Sequence, residues 1–154
     1  MLPTYGYKQR NDYECGPAVA RILLHQYLGM DIESVVKELQ TSRNGTRDSK
    51  LLNFLKRRGI DFKIKKGANL ARLKRSLKNN LVVVTFWLPR TQELHYSIVS
   101  RMDSKRIYFH DTWFGRNHSY TIDYFLRNWQ HKEAEAWLLT ILKPKRMRKK
   151  IRHT

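Results

Sequence analysis

One cysteine and six histidines are the residues of this chain that can combine into covalent chemistry. Cys15 stands in the stretch Gln9-Arg10-Asn11-Asp12-Tyr13-Glu14-Cys15-Gly16-Pro17-Ala18, followed at helical spacing by Val19, Ile22, Leu23, Gln26 and Tyr27. A thiol attacks only as thiolate, a form that a helix N-terminus and a neighbouring imidazolium both stabilise. Cys15 at a helix start therefore needs a histidine. His25 lies nearly three turns into the same helix and His153 in the C-terminal tail, so neither is expected to reach the thiol. His95 opens an alternating strand, His95-Tyr96-Ser97-Ile98-Val99, and the next strand ends in a carboxylate, Phe109-His110-Asp111. Asp111 can accept the second N–H of the imidazole and fix its tautomer, the third role of a triad.

Strand register decides whether these two side chains meet. A two-residue turn with Met102 opposite Lys105 would put His95 and Asp111 on opposite faces. A three-residue loop with Met102 opposite Arg106, or a bulge, would bring them to one face, and this second arrangement is the one predicted. Gln9, six residues before the cysteine, completes the set: its amide and the Cys15 backbone N–H can hold the oxyanion of a tetrahedral intermediate. Glu14 opposes the scheme unless its carboxylate points away from the thiol. Each residue has a plainer reading, a buried cysteine as a small hydrophobe, an aspartate as a turn former, a glutamine as a solvated amide. Their order along the chain favours the joint reading.

The elements that must position these groups are legible in the patterning. After the first helix, with Gly29 as its stop, a second runs from an Asp31 N-cap through Leu39 and a third from Asp48 to Arg58, ended by Gly59. A half-exposed strand at Phe62 and Ile64 precedes a fourth helix over 69–78. Strands are predicted over 81–88, 94–102, 106–111 and 136–142, interrupted by a helix capped by Thr121. Helices first and strands afterwards make the fold class α+β. At 154 residues the chain is one domain, taken as 1–142, with 143–154 a basic tail expected to be disordered.

Composition narrows the function classes. A single cysteine excludes an internal disulfide and a paired-cysteine zinc site. Zinc on Cys15, His95 and Asp111 would be adventitious, and thiol hydrolysis requires no cofactor. The longest apolar run, 81–88, is far short of the ~20 residues that span a bilayer, and the N-terminus lacks a secretory core, so no transmembrane segment and a cytoplasmic location are expected. The formal charge is +18, from 31 Lys and Arg against 13 Asp and Glu. Residues 143–154 hold seven of those cations, yet the remainder stays strongly basic. Such a surface suits an acidic peptide, nucleic acid or an anionic membrane without choosing among them.

The set Gln9, Cys15-Gly16-Pro17-Ala18, Gly45-Thr46, His95 with its following strand, and Asp111 resembles the peptidase C39 family, papain-like cysteine peptidases best known as N-terminal domains of bacteriocin-exporting ABC transporters. Phe114-Gly115-Arg116 and Tyr124-Phe125 with Trp129 match later segments, so the resemblance spans about residues 7 to 142. It implies a papain-like fold, an N-terminal helical half packed on a C-terminal antiparallel sheet. It also implies a cysteine peptidase with Cys15 as nucleophile, His95 as general base and acid, Asp111 as its orienter and Gln9 in the oxyanion hole. Exporter-linked members cut leader peptides after a double glycine. No transporter is expected in a chain of this length, which leaves a free-standing enzyme acting on a peptide or protein substrate, with an acidic leader peptide suited to the basic surface. The chain departs from the family pattern at Glu14, where aspartate is common, at Thr112, where proline commonly follows the carboxylate, and at Tyr96-Ser97, in a segment usually more apolar. Two alternatives stand beside the peptidase: a catalytically silent papain-like binding module using the basic surface, and a thiol acyltransferase or deamidase on the same triad.

Overall fold

The computed structural model describes residues 8–11, 13–25 and 31–142, with Leu24 and His25 described through the backbone only. The expected helix stop at Gly29 and the tail 143–154 lie outside the described residues. The helical half comes first: α1 (Cys15–His25), α2 (Ile32–Leu39) and α3 (Asp48–Arg57). It is followed by β1 (Phe62–Lys65), α4 (Leu70–Leu77), β2 (Leu81–Leu88), β3 (Glu93–Met102), β4 (Arg106–Asp111), β5 (Gly115–Thr121), α5 (Ile122–Trp129) and β6 (Leu138–Ile141). The strands form one antiparallel sheet in the order β1-β6-β2-β3-β4-β5. The fold is α+β, as the patterning predicts.

Local chemistry sets the helix starts. The Asp31 side chain accepts from the Ser34 amide, Asn69 from Arg72 and Thr121 from Tyr124, each satisfying a donor that the first helical turn leaves open. Gly59 takes φ +71 just past α3, a left-handed conformation that suits glycine. Strand β5 is the element that the sequence reading does not predict. Its residues, Gly115 to Thr121, are polar and mostly exposed, and it is an edge strand paired only with β4, so it carries no alternating apolar face to find. The last strand is shorter than predicted, because Glu135 and Ala136 turn through positive φ before Leu138.

Both faces of the sheet are covered, which explains why β2 is apolar at every position but Thr85. Leu81 and Val83 join α1, α2 and α3 in one core with Tyr96, Ile98, Leu139 and Ile141. Val82, Val84 and Phe86 join α4 and α5 in a second core with Val99, Ile107, Phe109 and Leu138. Successive side chains of a strand alternate between faces, so the two clusters interleave along β2 and β3. Helix α1 is the centre of the first core: Ala18, Val19, Ala20, Ile22 and Leu23 are all buried. Burying a Val, Leu or Ile side chain is worth about 1.5–3 kcal/mol, so the helix that carries Cys15 is anchored by packing. Its first turn also lies close to the loop 41–47. A Cβ on Gly16 would stand 2.6 Å from the Thr46 hydroxyl oxygen, which only glycine avoids.

Among the described residues no helix is long and apolar enough to cross a membrane.

Candidate active site

The β3–β4 hairpin carries the imidazole and the carboxylate, and its register brings them together. Asp103 and Arg106 close a turn over Ser104 and Lys105, with the Asp103 carboxylate accepting from the Lys105 and Arg106 amides. Met102 then pairs with Ile107 and Arg101 with Tyr108, a register that would send His95 and Asp111 to opposite faces. A bulge between Val99 and Arg101 inserts one residue and corrects it, so that Val99 pairs with Phe109 and Ile98 with His110. The bulge, one of the two devices predicted, is the one found. His95, Ser97 and Asp111 thereby share a face.

His95 Nε2 lies 3.0 Å from Asp111 Oδ1 and 2.9 Å from Oδ2. An ionised carboxylate only accepts, so Nε2 carries a proton and Nδ1 is the ring nitrogen left for Cys15, whose influence on the ring is to favour its charged form. All three residues are buried. Burial works against charge on His95, but the Asp111 carboxylate outweighs it and, with Cys15, pushes the imidazole up to about 10. Burial likewise works against charge on Asp111, while His95, Ser97 and the Phe114 amide hold it well below the usual carboxylate range. Asp111 is fully satisfied: besides His95, Oδ2 accepts from Ser97 Oγ at 2.5 Å and Oδ1 from the Trp113 and Phe114 amides at 2.8 Å each. The Phe114 ring stands edge-on to His95, 5.6 Å between centroids, and Phe86 packs against it from the second core at 5.4 Å.

Gln9 reaches this group from the other half of the chain. Its backbone N–H donates to the Thr112 carbonyl at 2.8 Å, and its side-chain Oε1 accepts from Thr112 Oγ1 at 2.7 Å. That bond fixes which way the amide faces. Nε2 gives one proton to the Asn11 carbonyl at 2.6 Å and keeps a second. Glu14, the residue that argued against a thiolate, is held by Arg10 in a two-pronged pair, 2.9 Å for each bond. The Arg10 hydrogen bond keeps its carboxyl below the usual range, so the negative charge is matched.

The sequence reading did not assign roles to Ser97, Thr112 and Arg10. Ser97 and Thr112 are two of the positions at which the chain departs from the family pattern, and that departure was the available signal.

Two cavities flank the Cys15–His95 pair. One, of about 590 Å³, is lined by Cys15, Tyr13, the loop 43–48, Leu94 and Tyr96. The Tyr96 hydroxyl ties that loop to the sheet through Asp48 and the Thr46 carbonyl. The other, of about 580 Å³, is lined by His95 and by side chains of the β2–β3 and β4–β5 connections and α5. No group of three or more His, Cys, Asp and Glu side chains fit to hold a metal occurs among the described residues.

The model of the peptidase C39 family matches residues 4–137. The chain belongs to this family. Solved peptidase C39 domains share its fold at low identity. The peptidase domain of Streptococcus ComA, a bifunctional ABC transporter of a quorum-sensing pathway, is 17% identical with a TM-score of 0.69, over 88% of this chain and 95% of that one. A double glycine motif protease from an AMS/PCAT transporter, solved in complex with the leader peptide, is 18% identical with a TM-score of 0.69, over 90% and 91%. A structure described as a C39-like peptidase from Bacillus anthracis is 13% identical with a TM-score of 0.76, over 93% and 96%. Among curated proteins none matches the sequence.

Proposed function

We propose that the chain is a cysteine peptidase that hydrolyses a peptide bond with Cys15, His95, Asp111 and Gln9. The observation that carries this reading is the His95 ring bonded to the buried Asp111 carboxylate, with Cys15 among the groups that favour its charged form, in a member of a peptidase family. Cys15 passes its proton to His95, and the sulfur attacks the scissile carbonyl. Charge developing on the carbonyl oxygen is met by the Cys15 backbone N–H and the remaining Gln9 Nε2 proton. His95, made a better proton holder by Asp111, then donates to the leaving amine, and water hydrolyses the thioester. Thr112 acts through Gln9, by setting the face that the amide presents.

The substrate proposed is a peptide with small residues such as Gly-Gly before the cut, by analogy with the solved double glycine motif protease bound to a leader peptide. Arg43 and Arg47 on the wall of the Cys15-side cavity suit acidic residues further upstream. The test uses synthetic peptides with an acidic segment, Gly-Gly and a short downstream sequence, followed by mass spectrometry. Cleavage after Gly-Gly that disappears in Cys15→Ala and weakens in Arg43→Glu supports the reading. An intact peptide pool with a folded chain whose Cys15 is reduced and unmodified contradicts it.

A further inference from the structure

We propose that the His95-side cavity binds the residue on the leaving side of the cut bond, and that it selects a large apolar or aromatic side chain there. This rests on the peptidase reading above.

The two cavities are divided by chemistry as well as by position. The acyl part of a substrate ends on the sulfur, so it belongs in the cavity that Cys15 lines and His95 does not. The leaving amine takes its proton from His95, so it belongs in the cavity that His95 lines and Cys15 does not. Thr91 and Glu93 line both, which puts the tip of the β2–β3 connection at the point where a substrate chain would cross from one to the other. The leaving-side cavity is walled for the most part by Leu88, Pro89, Trp113, Phe114, Tyr120 and Tyr124, with Arg90, Thr91 and Glu93 joining His95 as its polar members. Tyr120 and Tyr124 pack 4.8 Å apart, and Phe114 already faces His95. These rings are held by the fold, so little ordering is required of them when a ligand arrives.

Exposure supplies an independent observation. The large hydrophobic side chains exposed among the described residues are Leu94, Trp113, Phe114 and Tyr124. Leu94 lines the Cys15-side cavity and the three aromatic residues line the other. Exposed apolar surface is thus concentrated on the cleft, most of it on the leaving side, where an aromatic occupant would remove it from water.

The test separates this pocket from the activity on which it rests. An N-acetyl-Gly-Gly thioester is given to the full chain, and the released small thiol counts acyl-enzyme formed on Cys15. Phenylalaninamide or glycinamide is then offered in competition with water. The amine nitrogen attacks the acyl carbon, the C–N bond forms as the C–S bond breaks, and the amine proton returns to Cys15 through His95. Phenylalaninamide product should exceed glycinamide product by about tenfold or more at equal amine concentration. Tyr124→Ala and, separately, Trp113→Ala should cut that preference several-fold, with thiol release counting the competent enzyme in each. Thiol release with equal yields from both amides, with no yield from either, or with a preference that neither variant changes overturns the pocket alone. No thiol release overturns the peptidase reading and the pocket with it.

Discussion

The two halves of the site are held by different physics. Cys15 opens a helix fixed by packing: its neighbours Ala18, Val19, Ala20, Ile22 and Leu23 are buried against α2, α3 and the sheet. His95 and Asp111 sit on adjacent strands and are fixed by directed bonds, with five contacts converging on the Asp111 carboxylate from His95, Ser97 and two backbone amides. Packing sets where the sulfur is, and hydrogen bonds set which way the imidazole faces and what charge it holds. The pair Gln9 and Thr112 is a strap between the halves, joined at backbone and side chain. This difference predicts that the halves fail differently when they are cut.

The widest contrast is between Asp111→Ala and Cys15→Ala. Removing the carboxylate leaves a buried imidazole N–H, a hydroxyl and two amides without their acceptor. It should cost about 3–5 kcal/mol of stability in denaturant unfolding. Removing the thiol should abolish peptide cleavage and shift unfolding by only about 1 kcal/mol. Equal losses of stability would mean that the halves are not built as described.

Asp111→Asn is the next largest effect, because it keeps an acceptor and removes the charge. Cleavage should fall by about 10⁴-fold, the cost of the same change in other triads. Against its burial, Asp111 together with Cys15 raises His95 from 6.5 to about 10. The raised group stabilises the folded state fully below its unfolded value of 6.5, and that contribution is lost as pH climbs through about 10. The wild-type chain should therefore lose stability, and the proposed activity, on the alkaline side. In the Asn variant the alkaline limb of the pH–rate profile should move to lower pH; an unmoved limb would remove Asp111 from the account of His95.

Thr112→Val should give a smaller effect. It deletes the hydroxyl that orients Gln9 and keeps the backbone carbonyl to which Gln9 donates. The expected result is a fall in kcat of about tenfold with KM unchanged, and about 1 kcal/mol of stability. A rise in KM with kcat intact would assign Thr112 to substrate binding instead.

Much of this was legible in the chain because it is local. The N-caps at Asp31 and Thr121, the turn at Gly59 and the apolar spacing of α1 each depend on neighbouring residues. Strand β5 was not legible, since a polar edge strand such as Gly115–Thr121 earns its place from pairing and not from patterning. The candidate site divides the same way. Residue types and chain order pointed to Cys15, His95 and Asp111, but their meeting depends on a one-residue bulge near Ser100 that no local signal marks. Ser97 and Thr112 escaped assignment because their bonds span 14 and 103 positions of sequence. Glu14 read as an obstacle until its pairing with Arg10 was visible in three dimensions.

The central claim is that Cys15 and His95 act as one activated pair. The second-order rate of Cys15 alkylation by iodoacetamide near neutral pH, compared between the wild-type chain and His95→Ala with both shown to be folded, tests it most directly. Fast alkylation that slows by about tenfold or more in His95→Ala is the predicted result. Slow alkylation that is the same in both chains would contradict it.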